Sequence, residues 1–133
     1  GLPGLVIAII KKKQKSGMKF FLYEKSFKKS NFLKKVINKF ELNAEVINQN
    51  IFDQKKLNSD LIVARAFKPL PVILDLVTTN FDDFKDIILF LGKSGKSSIE
   101  QCLQNWNLEF IEKKSLTEKD SIIIKINKVG KKR

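Results

Sequence analysis

Arg65 is the residue whose type and position best fit chemistry. It lies in the stretch Asp60-Leu61-Ile62-Val63-Ala64-Arg65-Ala66-Phe67-Lys68-Pro69-Leu70. Leu61, Ile62 and Val63 form a short apolar run of the kind buried on both faces of a parallel sheet, and the run leads directly into the arginine. Ligands of open α/β sheets bind at the carboxyl ends of the strands, so Arg65 is a candidate contact by position. The chain has 26 Lys+Arg residues, yet only Arg65 and Arg133 are arginine. A planar guanidinium offers a rigid donor fork and a stacking face that lysine lacks. A structural salt bridge would explain the same residue equally well.

The second candidate is an acid. Gly1-Leu2-Pro3-Gly4 is a turn-type cluster, followed by the apolar run Leu5 to Ile10 and by Lys11-Lys12-Lys13. A proline suits the first turn of a helix and lysines suit its last, which predicts a buried helix over about residues 3–14. A glycine-containing loop at a helix amino end can bring backbone amides against a ligand. Lys19 to Tyr23 reads as a strand, and Glu24 follows it. In Rossmann-like folds an acid about 20 residues past the glycine loop accepts hydrogen bonds from ribose hydroxyls, and Glu24 has that spacing from Gly4. An ordinary loop and an ordinary strand-end acid remain the plain alternatives.

Composition narrows the chemistry. At 133 residues and 43% hydrophobic, the chain suits one domain with one core, residues 1–133, ending in a basic tail at about 128–133. A net charge of +12 favours polyanionic partners, although an AT-rich genome also enriches lysine. With no histidine, the usual general base, the Ser-His and Cys-His pairs and most zinc or iron sites are excluded. The single cysteine, Cys102, allows no internal disulfide and fits a reducing, cytoplasmic compartment. No apolar run reaches the roughly 20 residues of a membrane span, so no membrane partner is expected.

The remaining elements must position these residues. Phe32, Leu33, Val36, Ile37 and Phe40 share one helical face, opposite a lysine-rich face that includes Lys28 and Lys29. Glu45 to Asn48 is a short strand whose end leads to Ile51 and Phe52; Phe52 could line a pocket or simply pack. Leu70, Ile73, Leu74 and Val77 predict a second amphipathic helix, with Pro69 and Pro71 at its start. Ile87 to Leu91 predicts a buried strand. The following Gly92-Lys93-Ser94-Gly95-Lys96-Ser97 invites a phosphate-loop reading, but the required first glycine would fall at Phe90, so a nucleotide triphosphatase is rejected. Ser98 and Gln101 suggest a capping box for a helix with Ile99, Cys102, Leu103 and Trp106 on its core face. Leu108 to Ile111 and Ser121 to Ile126 predict a closing pair of strands.

Three segments carry a family resemblance. Gly1 to Ile9 looks like the second half of a cofactor loop with its helix. Tyr23-Glu24 with Lys28-Lys29 and Phe32-Leu33 is similar to an acidic strand end followed by a basic pair. Ala64-Arg65-Ala66-Phe67 with Leu70 looks like a Ser-Arg-Ala-Phe signature, the most specific of the three. Together they resemble the bacterial 16S ribosomal RNA 7-methylguanosine methyltransferases, the RsmG or GidB family, nearly end to end. The resemblance implies an α/β, Rossmann-like class I sheet flanked by helices that uses S-adenosylmethionine. The family's loop begins with an acid and two further glycines after a first strand. These are absent here, so the implied fold lacks that strand and the helical region before it.

By the same resemblance Gly1, Leu2, Gly4, Glu24, Ile51, Phe52 and Arg65 bind the cofactor, and Arg65 also joins cofactor to acceptor as the catalytic residue. Lys28, Lys29, Lys68 and Lys93 contact RNA. The family's arginine after the third strand is Asn50 here, the acid two positions later is Phe52, and a Lys-Gly pair appears as Gly92-Lys93. The implied partner is 16S ribosomal RNA or the assembling small subunit, met by a monomer. Nitrogen 7 of guanine has a free lone pair and no proton to lose, so the lack of histidine fits a transfer that depends on alignment, with no metal. Two alternatives differ in class: an RNA-binding domain with a degenerate cofactor site, or a methyltransferase acting on another RNA.

Overall fold

A computed structural model describes residues 7–13, 17–41, 43–65, 69–114 and 121–133. The chain builds β1 (Ile7–Lys13), β2 (Gly17–Tyr23), α1 (Phe27–Lys39) and β3 (Ala44–Ile47), then a 3-10 turn at Ile51–Asp53. There follow β4 (Leu57–Asn58), β5 (Leu61–Arg65), α2 (Leu70–Asn80), β6 (Phe81–Asp83), β7 (Asp86–Leu91), α3 (Gly95–Cys102), β8 (Trp106–Lys114) and β9 (Ile122–Lys131). Seven strands form one sheet in the order β3-β2-β1-β5-β7-β9-β8, and β4 pairs with β6 in a small second sheet.

The first segment departs from the sequence reading. Residues 7–13 form a strand, not part of a helix over 3–14, and it occupies the middle of the sheet antiparallel to both neighbours. Three of the seven residues, Ile7, Ile9 and Ile10, are β-branched and stiff at χ1, which suits a strand. The larger cause is tertiary. Without this strand β2 and β5 would each present a row of unpaired amides and carbonyls in the centre of the molecule.

Burial is unequal on the two faces of the sheet. Ile62 and Ala64 of β5 face the same way as Ile87, Leu89 and Leu91 of β7 and Ile124 and Ile126 of β9, and all are buried. The core they share includes Leu70, Ile73, Leu74, Leu76 and Val77 of α2, with Ile99 and Cys102 of α3. Leu61 and Val63, on the alternate face, are only half-buried, so the apolar run of β5 is not covered on both sides as expected.

Helix α1 is also less covered than its periodicity implies: Phe32 and Phe40 are each 65% exposed, while Leu33, Val36 and Ile37 are half-buried. Its residue contacts are chiefly with β3, near the edge of the sheet, too narrow a surface to cover the whole stripe.

The later elements follow the sequence closely, with shifted ends. Helix α3 starts at Gly95 with Ser94 as its cap, so Ser98 lies inside the helix and not at a capping box; Trp106 opens β8. Strands β8 and β9 form the antiparallel pair, and β9 continues to Lys131, which turns most of the expected basic tail into strand. Gly95 owes its place to packing, not to phosphate binding. A Cβ there would lie 2.7 Å from Leu91 Cβ and 3.0 Å from Ile122 Cγ1, whereas one at Gly92 would meet nothing within 4 Å. Gly95→Ala is therefore expected to destabilise the chain by about 1–3 kcal/mol and Gly92→Ala by less than about 0.5 kcal/mol; urea unfolding midpoints of the two variants test the contrast.

Candidate functional site

Sheet register brings the predicted residues to one edge. Strands β2 and β3 are parallel, β5 and β7 are parallel, and β1 runs against both β2 and β5, so all four of these strands end on the same side. Ile7 pairs with Tyr23 on one side and with Ala64 on the other. Glu24 and Arg65, one residue further on, thus stand level with each other two strand spacings apart, on the order of 10 Å. Ile47 is level with Tyr23, and Phe90 with Arg65, which adds Asn48 and the end of β7 to the row.

Glu24 is the best-defined member. It is only 1% exposed, and its Oε1 accepts a hydrogen bond from the Ser26 amide at 3.0 Å. Its Oε2 is buried with no hydrogen-bond partner among the described residues. A buried carboxylate oxygen without a donor is costly, and such exceptions in folded proteins call for a ligand, a water or a catalytic role. The adjacent amino end of α1 adds a favourable field for the carboxylate. Ser26 caps that helix through its hydroxyl, which accepts from the Lys29 amide at 3.3 Å. Ser30 Oγ, in the same first turn, is likewise buried without a partner among the described residues.

Two asparagines hold the neighbouring loops, and sequence reasoning assigned neither a role. Asn48 Nδ2 donates to the carbonyls of Glu24 at 2.9 Å and Lys25 at 3.1 Å, tying the end of β3 to the loop that carries the acid. Asn80 Nδ2, buried at the end of α2, donates to Phe52 O at 2.9 Å and Gln54 O at 2.7 Å. The clamp fixes the 3-10 turn, which Asn50 also caps by accepting from the Phe52 amide at 3.1 Å. Ile51 points into the core and Phe52 is half-buried against it.

The other predicted residues fall as follows. Arg65 is the last residue of β5. Lys28 is exposed in the first turn of α1, Lys29 is half-buried beside it, and Lys93 is exposed in the turn after β7. Gly1, Leu2, Gly4 and Lys68 lie outside the described residues. Cys102 is buried, and burial pushes its thiol pKa up, away from reactivity. Tyr23 is raised as well, by burial first and the nearby charge of Glu45 second.

The sheet and its helices superpose on solved structures of the class I methyltransferase fold. The structure of the 23S rRNA methyltransferase ErmE superposes with a TM-score of 0.52 at 13% identity, over 79% of this chain and 50% of that one. A putative rRNA methylase from Clostridium thermocellum gives 0.51 at 11% identity, over 80% and 70%. At the level of sequence, the family model for rRNA small subunit methyltransferase G, GidB, matches residues 1–125, and the chain belongs to that family.

Among curated relatives, ribosomal RNA small subunit methyltransferase G of Pelagibacter ubique is 51% identical over 132 residues, 99% of this chain and 62% of the relative. The protein of the same name from Bartonella tribocorum is 31% identical, over 97% and 61%. The chain thus spans about three-fifths of the length of the curated relatives it matches. Among the described residues, no helix is long and apolar enough to cross a membrane.

Asn80→Ala would leave two loop carbonyls without their donor and is expected to cost about 1–3 kcal/mol, with faster hydrogen exchange at the Phe52 and Gln54 turn. Because the folded-state pKa values of Tyr23 and Cys102 are raised, their contribution to stability is fully present below the ordinary values, 10.0 and 9.0, and falls as pH rises beyond them. Denaturation midpoints measured across the alkaline range should decline accordingly, and less so in Tyr23→Phe.

Proposed function

We propose that this chain is the methyltransferase part of an enzyme that transfers a methyl group from S-adenosylmethionine to nitrogen 7 of a guanine in 16S ribosomal RNA. Family membership implies the cofactor, and the observation that carries the reading is Glu24: a buried carboxylate whose free oxygen lies at the strand edge where such a cofactor's ribose is held. Two ribose hydroxyls are the donors that Oε2 lacks. The clamped turn at Ile51 and Phe52 supplies an apolar flank for the adenine, fixed by Asn80 rather than by either residue's own side chain.

The bound cofactor supplies an electrophilic methyl group on a sulfonium. Nitrogen 7 of guanine has a free lone pair and no proton to lose, so accepting that methyl would require no base from the chain. No proton moves, so the chain needs no histidine, and its task is orientation and electrostatic support. Arg65, level with Glu24 across β1, holds the acceptor side of the site by donating hydrogen bonds or stacking. Lys28, Lys29, Lys68 and Lys93 neutralise phosphates, which fixes the RNA without reading its sequence. The working form is a cytoplasmic monomer acting on the RNA or the assembling subunit.

A second reading, an RNA-binding domain without a working cofactor site, has one observation in its favour. In open α/β sheets the phosphate-binding loop leaves the carboxyl end of a central parallel strand, whereas the strand between β2 and β5 here runs the other way. Calorimetry with S-adenosylhomocysteine separates the two. Binding by the wild-type chain that weakens about 10- to 100-fold in Glu24→Gln, the scale of a lost hydrogen bond to a charged group, supports the first reading; RNA binding with no cofactor binding selects the second. Methyl transfer to nitrogen 7 of guanine in 16S RNA, detected by mass spectrometry and lost in Arg65→Ala, tests the acceptor and the arginine together.

A further inference from the structure

At the opposite end of the molecule β8 and β9 frame an open groove of about 750 Å3. Its floor is apolar, made by Phe84, Leu103, Leu108 and Val129 with Trp106 buried among them. Phe84 is half-buried and held edge-to-face against the buried Phe81, ring centroids 6.4 Å apart at 86°. Gly130 lines the groove as well, and a Cβ there would meet nothing within 4 Å, so the backbone itself forms part of an open wall. A β-bulge opposite Glu109 and Phe110, with Asn127 as the extra residue, bends β9 at this place.

The rim is basic. Lys128 and Lys132 line the groove, and Lys131 Nζ stands 5.8 Å from the centre of the Trp106 ring. Glu109 engages Lys128 at 3.7 Å, which leaves Lys131, Lys132 and the exposed Arg133 in excess. The chain end is held in place, because the Lys132 amide donates to Asn105 O at 2.8 Å.

We propose that this groove is a second RNA contact, which takes unstacked bases of a single-stranded segment on its floor and the flanking phosphates on Lys131, Lys132 and Arg133. The inference rests on the reading above that the substrate is RNA. An apolar floor with cations beside it is what a splayed nucleotide requires. An acidic peptide would satisfy the cations and leave the floor unused. A duplex hides its bases and could engage only the rim. Arg65 is level with Phe90, Phe90 pairs with Ile123, and Gly130 lies seven residues further along β9. At about 3.3 Å per residue the groove is on the order of 20 Å from the proposed acceptor site, so it would bind the RNA at a distance from the reacting base and set its register.

Trp106 is the only tryptophan, so its fluorescence reports on this groove directly. The 133-residue chain would be titrated with a short single-stranded RNA, with the same sequence as a duplex and with a poly-glutamate peptide, while anisotropy of labelled RNA gives affinity. The expected result is a tryptophan change with single-stranded RNA that is weaker with duplex. Leu108→Ala, which removes part of the floor on the face shared by Trp106 and Val129, should weaken single-strand binding roughly tenfold, the scale of one lost stacked base. Lys132→Gln should lower the salt dependence by about one phosphate's share, and both variants should keep wild-type circular dichroism and S-adenosylhomocysteine binding. RNA binding that is unchanged in both variants, or a tryptophan that responds to the peptide and not to RNA, overturns the groove and leaves the RNA reading standing. A wild-type chain that binds no RNA overturns both.

Discussion

The rest of the structure depends on the backbone pairing of β1 with both its neighbours. Seven residues of β1 pair with β2 and four with β5, and among the described residues no other strand pairs with both the β2–β3 part of the sheet and the β5–β7–β9–β8 part. Hydrogen bonds between strands contribute modestly one by one, but leaving the same groups buried and unpaired is expensive. The requirement is therefore nearly indifferent to strand direction. Any extended segment of the right length and apolar character satisfies it, and Ile7–Lys13 does so running against its neighbours. That pairing sets the backbones of Glu24 and Arg65 level on either side of β1.

How much of this was legible in the chain depends on how far each residue's partners lie. Glu24 was readable because a strand pattern, an acid and a spacing are all local, and β5, β7, α2 and the β8–β9 pair were readable from apolar runs bounded by turn residues. Residues 7–13 were misread. Pro3 and the lysines at 11–13 are genuine helix signals, but local propensity amounts to tenths of a kcal/mol per residue and yields to an unfilled position in a sheet. The stripe on α1 was identified correctly and its coverage was not, since periodicity says which face is apolar and nothing about how wide the opposing surface is. Asn48 and Asn80 escaped notice because their acceptors lie 23 to 28 residues away in sequence. In a chain this rich in asparagine, type alone singles out neither.

The charge distribution follows a similar logic. Ion pairs among the described residues, such as Lys19–Glu45 at 3.6 Å and Lys85–Asp60 at 3.8 Å, involve exposed or partly exposed groups and add little stability. Most of the +12 charge is therefore not engaged in holding the fold. Its effect is a field that steers and retains polyanions, strongest where cations collect without acids, as on α1 and at the end of β9. The two places lie towards opposite edges of the sheet, which suits a long, flexible polyanion better than a compact one.

The site itself divides into halves with different supports. The half at Glu24 and Phe52 is braced by Asn48, Asn80, Asn50 and the Ser26 cap, all within β2, β3, α1, α2 and the loops between them. None of these bonds involves β1. The half at Arg65 has its backbone at the end of β5, which reaches Glu24 by pairing through β1 and is tied to the turn after β3 by the Asn80 clamp from α2. Changes to the central strand should then alter the relation of the two halves before they disturb either one. Under the proposed reading, cofactor affinity would reside mainly in the braced half, while transfer would need both halves at the right separation. On that reading the sheet centre, with the Asn80 clamp, would set the alignment of donor and acceptor, which a reaction without proton transfer leaves to the protein.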